Sequence, residues 1–141
     1  MVVILGVGIG YLIMIDPTKE QRAIFSLVFD EFKQVAGDLE KAFKKDEALP
    51  LSRKSVTGHY RDNNGKKVAL QLNVVVEADK MVVDFVNKSG EKVSVEFEPI
   101  VKVHKQSKKT SIKWICSGGT MLLRYRSEPC RTLKGIDLKR L

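Results

Sequence analysis

The spacing of apolar residues changes at Leu49-Pro50, and this change constrains the fold more than any other feature. Over residues 17–45, apolar side chains recur at three- and four-residue steps, which predicts an amphipathic helix of about seven turns. After Pro50, apolar and polar residues alternate in short runs, which is typical of β-strands. The chain is therefore expected to fold as one helix followed by a sheet.

The predicted helix has a clear start and one apolar face. Asp16 is a good N-cap residue, and Pro17 suits the first helical turn. One face is apolar and would pack against the sheet: Phe25, Val28, Phe29, Phe32, Val35, Ala36, Leu39 and Phe43. The opposite face is charged, as expected for a helix with one side in water.

About five antiparallel strands are expected beyond the break. Asn64-Gly65 is a strong hairpin signal between the first two strands, and Asn87-Lys88-Ser89-Gly90 predicts a later turn. A helical region (1–48) and a sheet region (51–141) would form one domain. The predicted class is α+β, with a long N-terminal helix packed on an antiparallel β-meander.

The first sixteen residues allow two interpretations. Residues 1–15 carry no charge, so residues 1–16 can form the apolar half of a longer helix and act as a membrane anchor. As a helix they would be about 22 Å long, against a hydrocarbon core of about 30 Å. A buried strand is the competing structure, since three glycines weaken a lone helix.

The positive charge is concentrated in the C-terminal third. The net charge is +8, yet residues 1–100 hold 14 Lys and Arg against 15 Asp and Glu. Residues 101–141 hold 11 against 2. Two interpretations are open: a polyanion-binding surface, or a solvated face, which is the more usual role of a run of lysines. The candidate residues for a polyanion-binding surface are Lys102, Lys105, Lys108, Lys109, Lys113, Arg124, Arg126 and Arg131.

No catalytic or metal-binding motif is found. His59 and His104 lie in different predicted strands, without Cys, Asp or Glu at metal-ligand spacing. No nucleophile–base set and no phosphate-binding loop can be assigned. The sequence predicts neither an enzyme nor a cofactor.

The only tryptophan and both cysteines lie near the C-terminus. Trp114 and Cys116 fall on one face of a predicted strand, because side chains alternate with a two-residue period. Cys130 follows fourteen residues later. On their number alone, one disulfide and two reduced thiols are equally open.

This C-terminal block resembles that of bacterial type IV pilins. The resemblance is carried by Trp114-Ile115-Cys116, Gly118-Gly119-Thr120, Tyr125 and Cys130-Arg131. Ser127 stands where the family often has proline. An uncharged N-terminal segment followed by an amphipathic helix agrees with the same family.

The resemblance implies a structural role outside the cytoplasm. It implies a pilin-like roll, a Cys116–Cys130 disulfide, and assembly with other pilin subunits through the N-terminal helix. The implied location is the bacterial inner membrane and periplasm, then an extracellular pilus, with adhesion or DNA uptake as associated functions. The family's leader peptide, its processing site and the following glutamate are not in this sequence. Leu133–Leu141 extends beyond the usual end.

A different class of protein is also compatible with the sequence. In this alternative, the chain is a soluble α+β binding module, and residues 1–15 form a buried strand instead of an anchor. The two hypotheses differ in whether the full chain needs detergent to remain monomeric.

Overall fold

One helix precedes six strands in a computed structural model, which describes residues 17–42, 49–103, 110–131 and 135–136. The strands pair antiparallel in chain order, so β1 and β6 lie at the edges of the sheet. The elements are α1 (Pro17–Ala42), β1 (Ser52–Arg61), β2 (Lys67–Val76), β3 (Met81–Val86), β4 (Lys92–Val103), β5 (Thr110–Gly118), a 3₁₀ turn (Leu123–Tyr125) and β6 (Gly135–Ile136).

The predicted fold, a long helix packed on a meander as a pilin-like roll, is wrong. The described structure is mostly strand, and the six-stranded sheet forms a half-barrel with the single helix α1. Helical periodicity located the apolar positions of α1 but carried no information on sheet curvature. Residues 1–16, and the predicted helical residues 43–45, lie outside the described ranges.

The apolar face of α1 is broad, which explains why a curved sheet suits it. Six of its side chains are buried, and further apolar residues beside them are partly buried. A curved sheet covers such a wide face better than a flat layer, because strands then approach it from several directions. The buried residues are Ile24, Phe25, Val28, Phe32, Ala36 and Leu39.

The turn predicted at Asn64-Gly65 is confirmed between β1 and β2. The Asp62 carboxylate accepts hydrogen bonds from the backbone N–H groups of Asn64 and Lys66, both at 2.9 Å. Gly65 has a φ of 78°, which a residue with a side chain rarely adopts. This local geometry fixes the register of ten paired residues in each of the two strands.

Three aromatic rings join α1 to the sheet. The Phe32 ring stacks on Phe97 of β4, with centroids 3.9 Å apart and planes 10° apart. It also meets the edge of Trp114 on β5 at 5.5 Å. All three side chains are fully buried. Helix and strands therefore share one contiguous core.

Two ion pairs attach α1 to the sheet. Glu20 lies 2.6 Å from Lys88 of the β3–β4 turn, and Glu31 lies 2.9 Å from Lys54 of β1. The two glutamate side chains are only 12% and 13% exposed, whereas both lysines are at least 48% exposed. These contacts lie 11 residues apart along α1, so together they favour one rotation of the helix against the sheet.

Truncating Phe32 tests the aromatic core. Phe32→Ala is expected to lower the free energy of unfolding by about 3–5 kcal/mol, because it removes both ring contacts and leaves a cavity. Urea denaturation followed by circular dichroism measures the change. Phe29→Ala is the matched control, since the Phe29 ring is only partly buried, and it should cost less. Equal losses for the two variants would contradict this account of the core.

Candidate functional site: the disulfide loop

The disulfide loop, defined here as Cys116 to Cys130, begins on β5. Trp114 and Cys116 lie on one buried face of the strand, as the two-residue period predicted, and both are 0% exposed. Cys116 and Cys130 form a disulfide with their Cα atoms 5.2 Å apart. The pairing implied by the resemblance to pilins is therefore confirmed. The disulfide is enclosed by protein, since Cys130 is also 0% exposed.

A register shift directs the chain out of β5. Phe97 pairs with Cys116 and Glu96 pairs with Gly118, so Ser117 has no opposite residue on β4. Such a bulge bends its strand and increases the local twist. After Gly118 the chain turns to run beside the first half of β4.

The first part of the disulfide loop contacts β4 through a backbone group and the Thr120 hydroxyl. The Met121 N–H donates to the Ser94 carbonyl at 3.0 Å, and the Ser94 N–H donates to the Thr120 hydroxyl oxygen at 2.9 Å. The approach is close at Gly119, which has a φ of 105°. A Cβ atom there would lie 2.4 Å from the Ser94 carbonyl oxygen. Glycine is required at this position for both reasons.

Arg126 lies in the interior of the loop. The residue is 2% exposed, and its guanidinium donates to the Met121 carbonyl at 2.8 Å and to the Gly118 carbonyl at 3.1 Å. No carboxylate forms an ion pair with it among the described residues. Burial lowers the pKa of the Arg126 guanidinium from its ordinary value, because desolvation disfavours the charged form.

Two donors near the loop are unsatisfied. Nη1 of Arg126 and Nε1 of Trp114 are both buried and have no hydrogen-bond acceptor. A buried donor without an acceptor costs about 1–3 kcal/mol. Arg126 organises the loop through carbonyl oxygens, and no local sequence pattern predicts its burial.

The other cations predicted to bind polyanions occupy several positions. Lys113, Arg124 and Arg131 are exposed. The Arg124 guanidinium carbon lies 5.0 Å from the centre of the Tyr125 ring, and Arg131 Nε donates to the Arg126 carbonyl at 2.9 Å. The side chains of Lys102, Lys105, Lys108 and Lys109 lie outside what the structure describes. Polyanion binding by this set stays a prediction.

The outer end of the loop exposes two adjacent leucines. Leu122 is 50% exposed and Leu123 is 46% exposed, while Met121 just before them is buried. Leu123 begins the 3₁₀ turn, which the Tyr125 N–H closes by donating to the Leu122 carbonyl at 3.1 Å. An ordered turn that holds two apolar side chains in water is a candidate contact with another protein molecule.

A second polar cluster lies where α1 begins. Asn63 Nδ2 donates to the Glu20 carboxylate at 3.3 Å, beside the Glu20–Lys88 ion pair. Burial raises the pKa of Tyr60, and the Glu20 carboxylate adds to the rise. Glu20, Lys88 and Tyr60 line a cavity of about 240 Å³ whose remaining wall is largely apolar, including Ile24 and Phe85.

A cluster of exposed basic residues near the β1–β2 turn was not predicted from the sequence. Arg61, Lys66 and Lys67 lie around the β1–β2 turn and are exposed. The net charge of residues 1–100 is −1, because acidic residues elsewhere in this region offset the three basic ones. A net charge summed over the region therefore does not reveal the cluster. Three basic residues within seven positions around an Asn-Gly turn were the available signal.

The described residues also bear on metal binding and on the reactivity of the cysteines. Within the described ranges, no group of three or more His, Cys, Asp or Glu side chains could hold a metal ion. The cysteines are joined in a disulfide, so neither is a nucleophile.

Comparison of the chain with protein-family models, with curated proteins and with solved structures gives no match.

The close approach of the loop to β4 can be tested with two glycine variants. Gly119→Ala should destabilise the protein by several kcal/mol, because it combines a positive φ with a clash against backbone. Gly65→Ala is the control: its φ is also positive, yet a Cβ atom there meets nothing within 4 Å. It should cost only about 1–2 kcal/mol. Urea denaturation measures both, and equal costs would show that the loop does not contact β4 in this way.

Proposed function

We propose that the chain is a pilin-like structural subunit of the bacterial envelope. Its apolar residues 1–16 hold it in the inner membrane and against neighbouring subunits, and its half-barrel and disulfide loop face outward. The observation that carries the proposal is the Cys116–Cys130 disulfide, within the residue pattern that resembles the end of type IV pilins.

The presence of a disulfide supports a location outside the cytoplasm. Disulfides persist in oxidising compartments such as the periplasm and are rare in the cytosol. A loop of about fifteen residues closed in this way is stabilised by about 3 kcal/mol in the chain-entropy model. A secreted or surface subunit benefits from such a cross-link.

The exposed leucines support contact between subunits. Leu122 and Leu123 project from a loop that Arg126 and the disulfide hold in place. An ordered apolar turn loses little conformational entropy when it is covered by a neighbour. Lateral packing in a filament would bury it.

The anchoring step rests on the sequence of the first residues. In the part of the chain that the structure describes, no helix is both long and apolar enough to cross a membrane. Residues 1–16 lie outside that part, and their lack of charge up to Ile15 is the reason for assigning the anchor to them.

Fractionation of cells tests the proposal. The full chain, exported to the periplasm, should be recovered with the inner membrane and released by detergent, while a version lacking residues 1–16 should be soluble. Chemical cross-linking in membranes should give a ladder of multimers only for the full chain. Circular dichroism of the shortened version verifies that it folds. A full chain that is monomeric without detergent would refute the proposal and favour a soluble binding module.

A further inference from the structure

The outer face of the β1–β2 hairpin carries basic and hydrogen-bonding side chains along its length. Side chains alternate between the two faces of a strand, and Tyr60, Leu72 and Val74 mark the buried face. The residues between them point outward, and most of these are exposed. On β1 they are Arg53, Ser55, Thr57, His59 and Arg61; on β2 they are Lys67, Ala69, Gln71, Asn73 and Val75.

Two like charges face each other near the turn. Arg61 and Lys67 are directly paired across the two strands, an arrangement that is destabilising without compensation. Neither cation forms an ion pair among the described residues. Arg61 Nη1 donates only to the Gly65 carbonyl at 2.8 Å.

The carboxylate in the turn does not balance this group. Asp62, whose Oδ1 accepts two backbone hydrogen bonds, carries one negative charge, whereas Arg61, Lys66 and Lys67 carry three positive charges. The turn therefore has more positive than negative charge at one end of the face. Arg53 supplies another exposed cation at the opposite end of β1.

Protection of a sheet edge accounts for only part of this arrangement. Basic side chains on edge strands discourage pairing with other chains. β1 is an edge strand, and β2 pairs with β3 only from Asn73 to Val76, so Lys67 also lies beside an unpaired stretch. Lys66, in contrast, lies in the turn between the two strands, where there is no edge to protect.

The polar residues between the charges suit phosphate oxygens. Thr57 and Gln71 are paired directly across the strands, and side chains of these types donate to phosphate oxygens in protein–DNA complexes. The ten outward residues include no carboxylate and no Phe, Tyr or Trp, and His59 supplies the one aromatic ring among them. The face can therefore hold a phosphate backbone, but a single imidazole is not the row of stacking side chains that single-stranded nucleic acids use.

The length of the face also fits a duplex. Arg53 and Arg61 are eight residues apart on β1, so about 27 Å separates the cations at its two ends, which is within one helical turn of DNA, about 34 Å. Duplex DNA presents one negative charge for roughly every 1.7 Å of its axis. Cations at both ends of the face can thus meet phosphates on the same duplex.

We infer that this face of the β1–β2 hairpin binds the phosphate backbone of duplex nucleic acid, without reading its sequence. Arg61, Lys66 and Lys67 make the main contacts, and Arg53 makes one at the far end. The inference concerns a different surface from the C-terminal cations. It does not depend on the proposed role as a pilin-like subunit.

Binding of a fluorescent duplex to the full chain in nonionic detergent tests the inference. Arg61→Gln with Lys67→Gln should weaken binding at least about tenfold at moderate salt, and should reduce the slope of log K against log salt by about 2, one for each lost phosphate contact. Fluorescence anisotropy across a salt series measures both quantities. Thermal unfolding verifies that the variant is folded.

Two further double variants serve as controls for the loss of two positive charges from the hairpin. Lys19→Gln with Lys41→Gln removes the same charge from exposed positions of α1 and should leave binding unchanged. Lys113→Gln with Arg124→Gln removes it from the C-terminal surface and should have less effect than the hairpin variant.

Four outcomes would overturn the inference. In the first, the unaltered chain does not bind duplex; in the second, the hairpin and α1 variants lose equal affinity for duplex. In the third, only the C-terminal variant loses affinity. In the fourth, the chain binds a single strand more tightly than a duplex. Binding of a sulfated polysaccharide such as heparin, without binding of duplex, would identify another class of partner and would equally refute the inference. If the full chain is not recovered with the membrane in the cell fractionation, the inference about duplex binding is unaffected, because the two experiments concern different residues.

Discussion

The stacking of Phe32 on Phe97 is the contact on which the rest of the structure depends. It joins the middle of α1 to β4, and the edge of Trp114 adds β5 to the same contact. Trp114 lies two residues before Cys116, so the start of the disulfide loop is fixed by the core of the domain. From there, Arg126 and the close approach of Gly119 to β4 determine the path of the loop. The path of the loop is therefore set by contacts with the core beneath it.

Ion pairing explains why a region of balanced charge has a basic face. Glu20 and Glu31 lie on α1, where they pair with Lys88 and Lys54 and hold the helix against the sheet. Their negative charge is used on the inner side of the half-barrel. The outward cations of the β1–β2 hairpin receive no such partner among the described residues. The net charge counts all these side chains equally. In the folded protein, the acidic residues are paired on α1, and the cations of the hairpin lie on a different face.

Local features were predictable from the sequence, and features that depend on distant residues were not. The turn at Asn64-Gly65 and the shared face of Trp114 and Cys116 follow from short-range rules of turn chemistry and strand alternation. The disulfide required a resemblance to a family, because two cysteines alone do not distinguish a bridge from free thiols. Position along the chain could not reveal the burial of Arg126, since its acceptors are carbonyl groups of a folded loop.

The curvature of the sheet escaped prediction for the same reason. Alternation gives the faces of each strand, but the angle between strands comes from packing on α1. β6 is only two residues long, and Ile136 is positioned by its pairing with Trp114. No periodicity can be read from so short an element. The predicted packing of a long helix on a β-meander failed at these tertiary features.

The central claim is that Cys116 and Cys130 form a disulfide in the cell, because the proposed location and the structure of the loop both require it. The redox state of the two cysteines in protein recovered from cells tests this claim most directly. Unreduced protein would be denatured, labelled with a thiol reagent and weighed by mass spectrometry. The account predicts no labelled thiol before reduction and two labels afterwards, at Cys116 and Cys130. Two labels without reduction would contradict it.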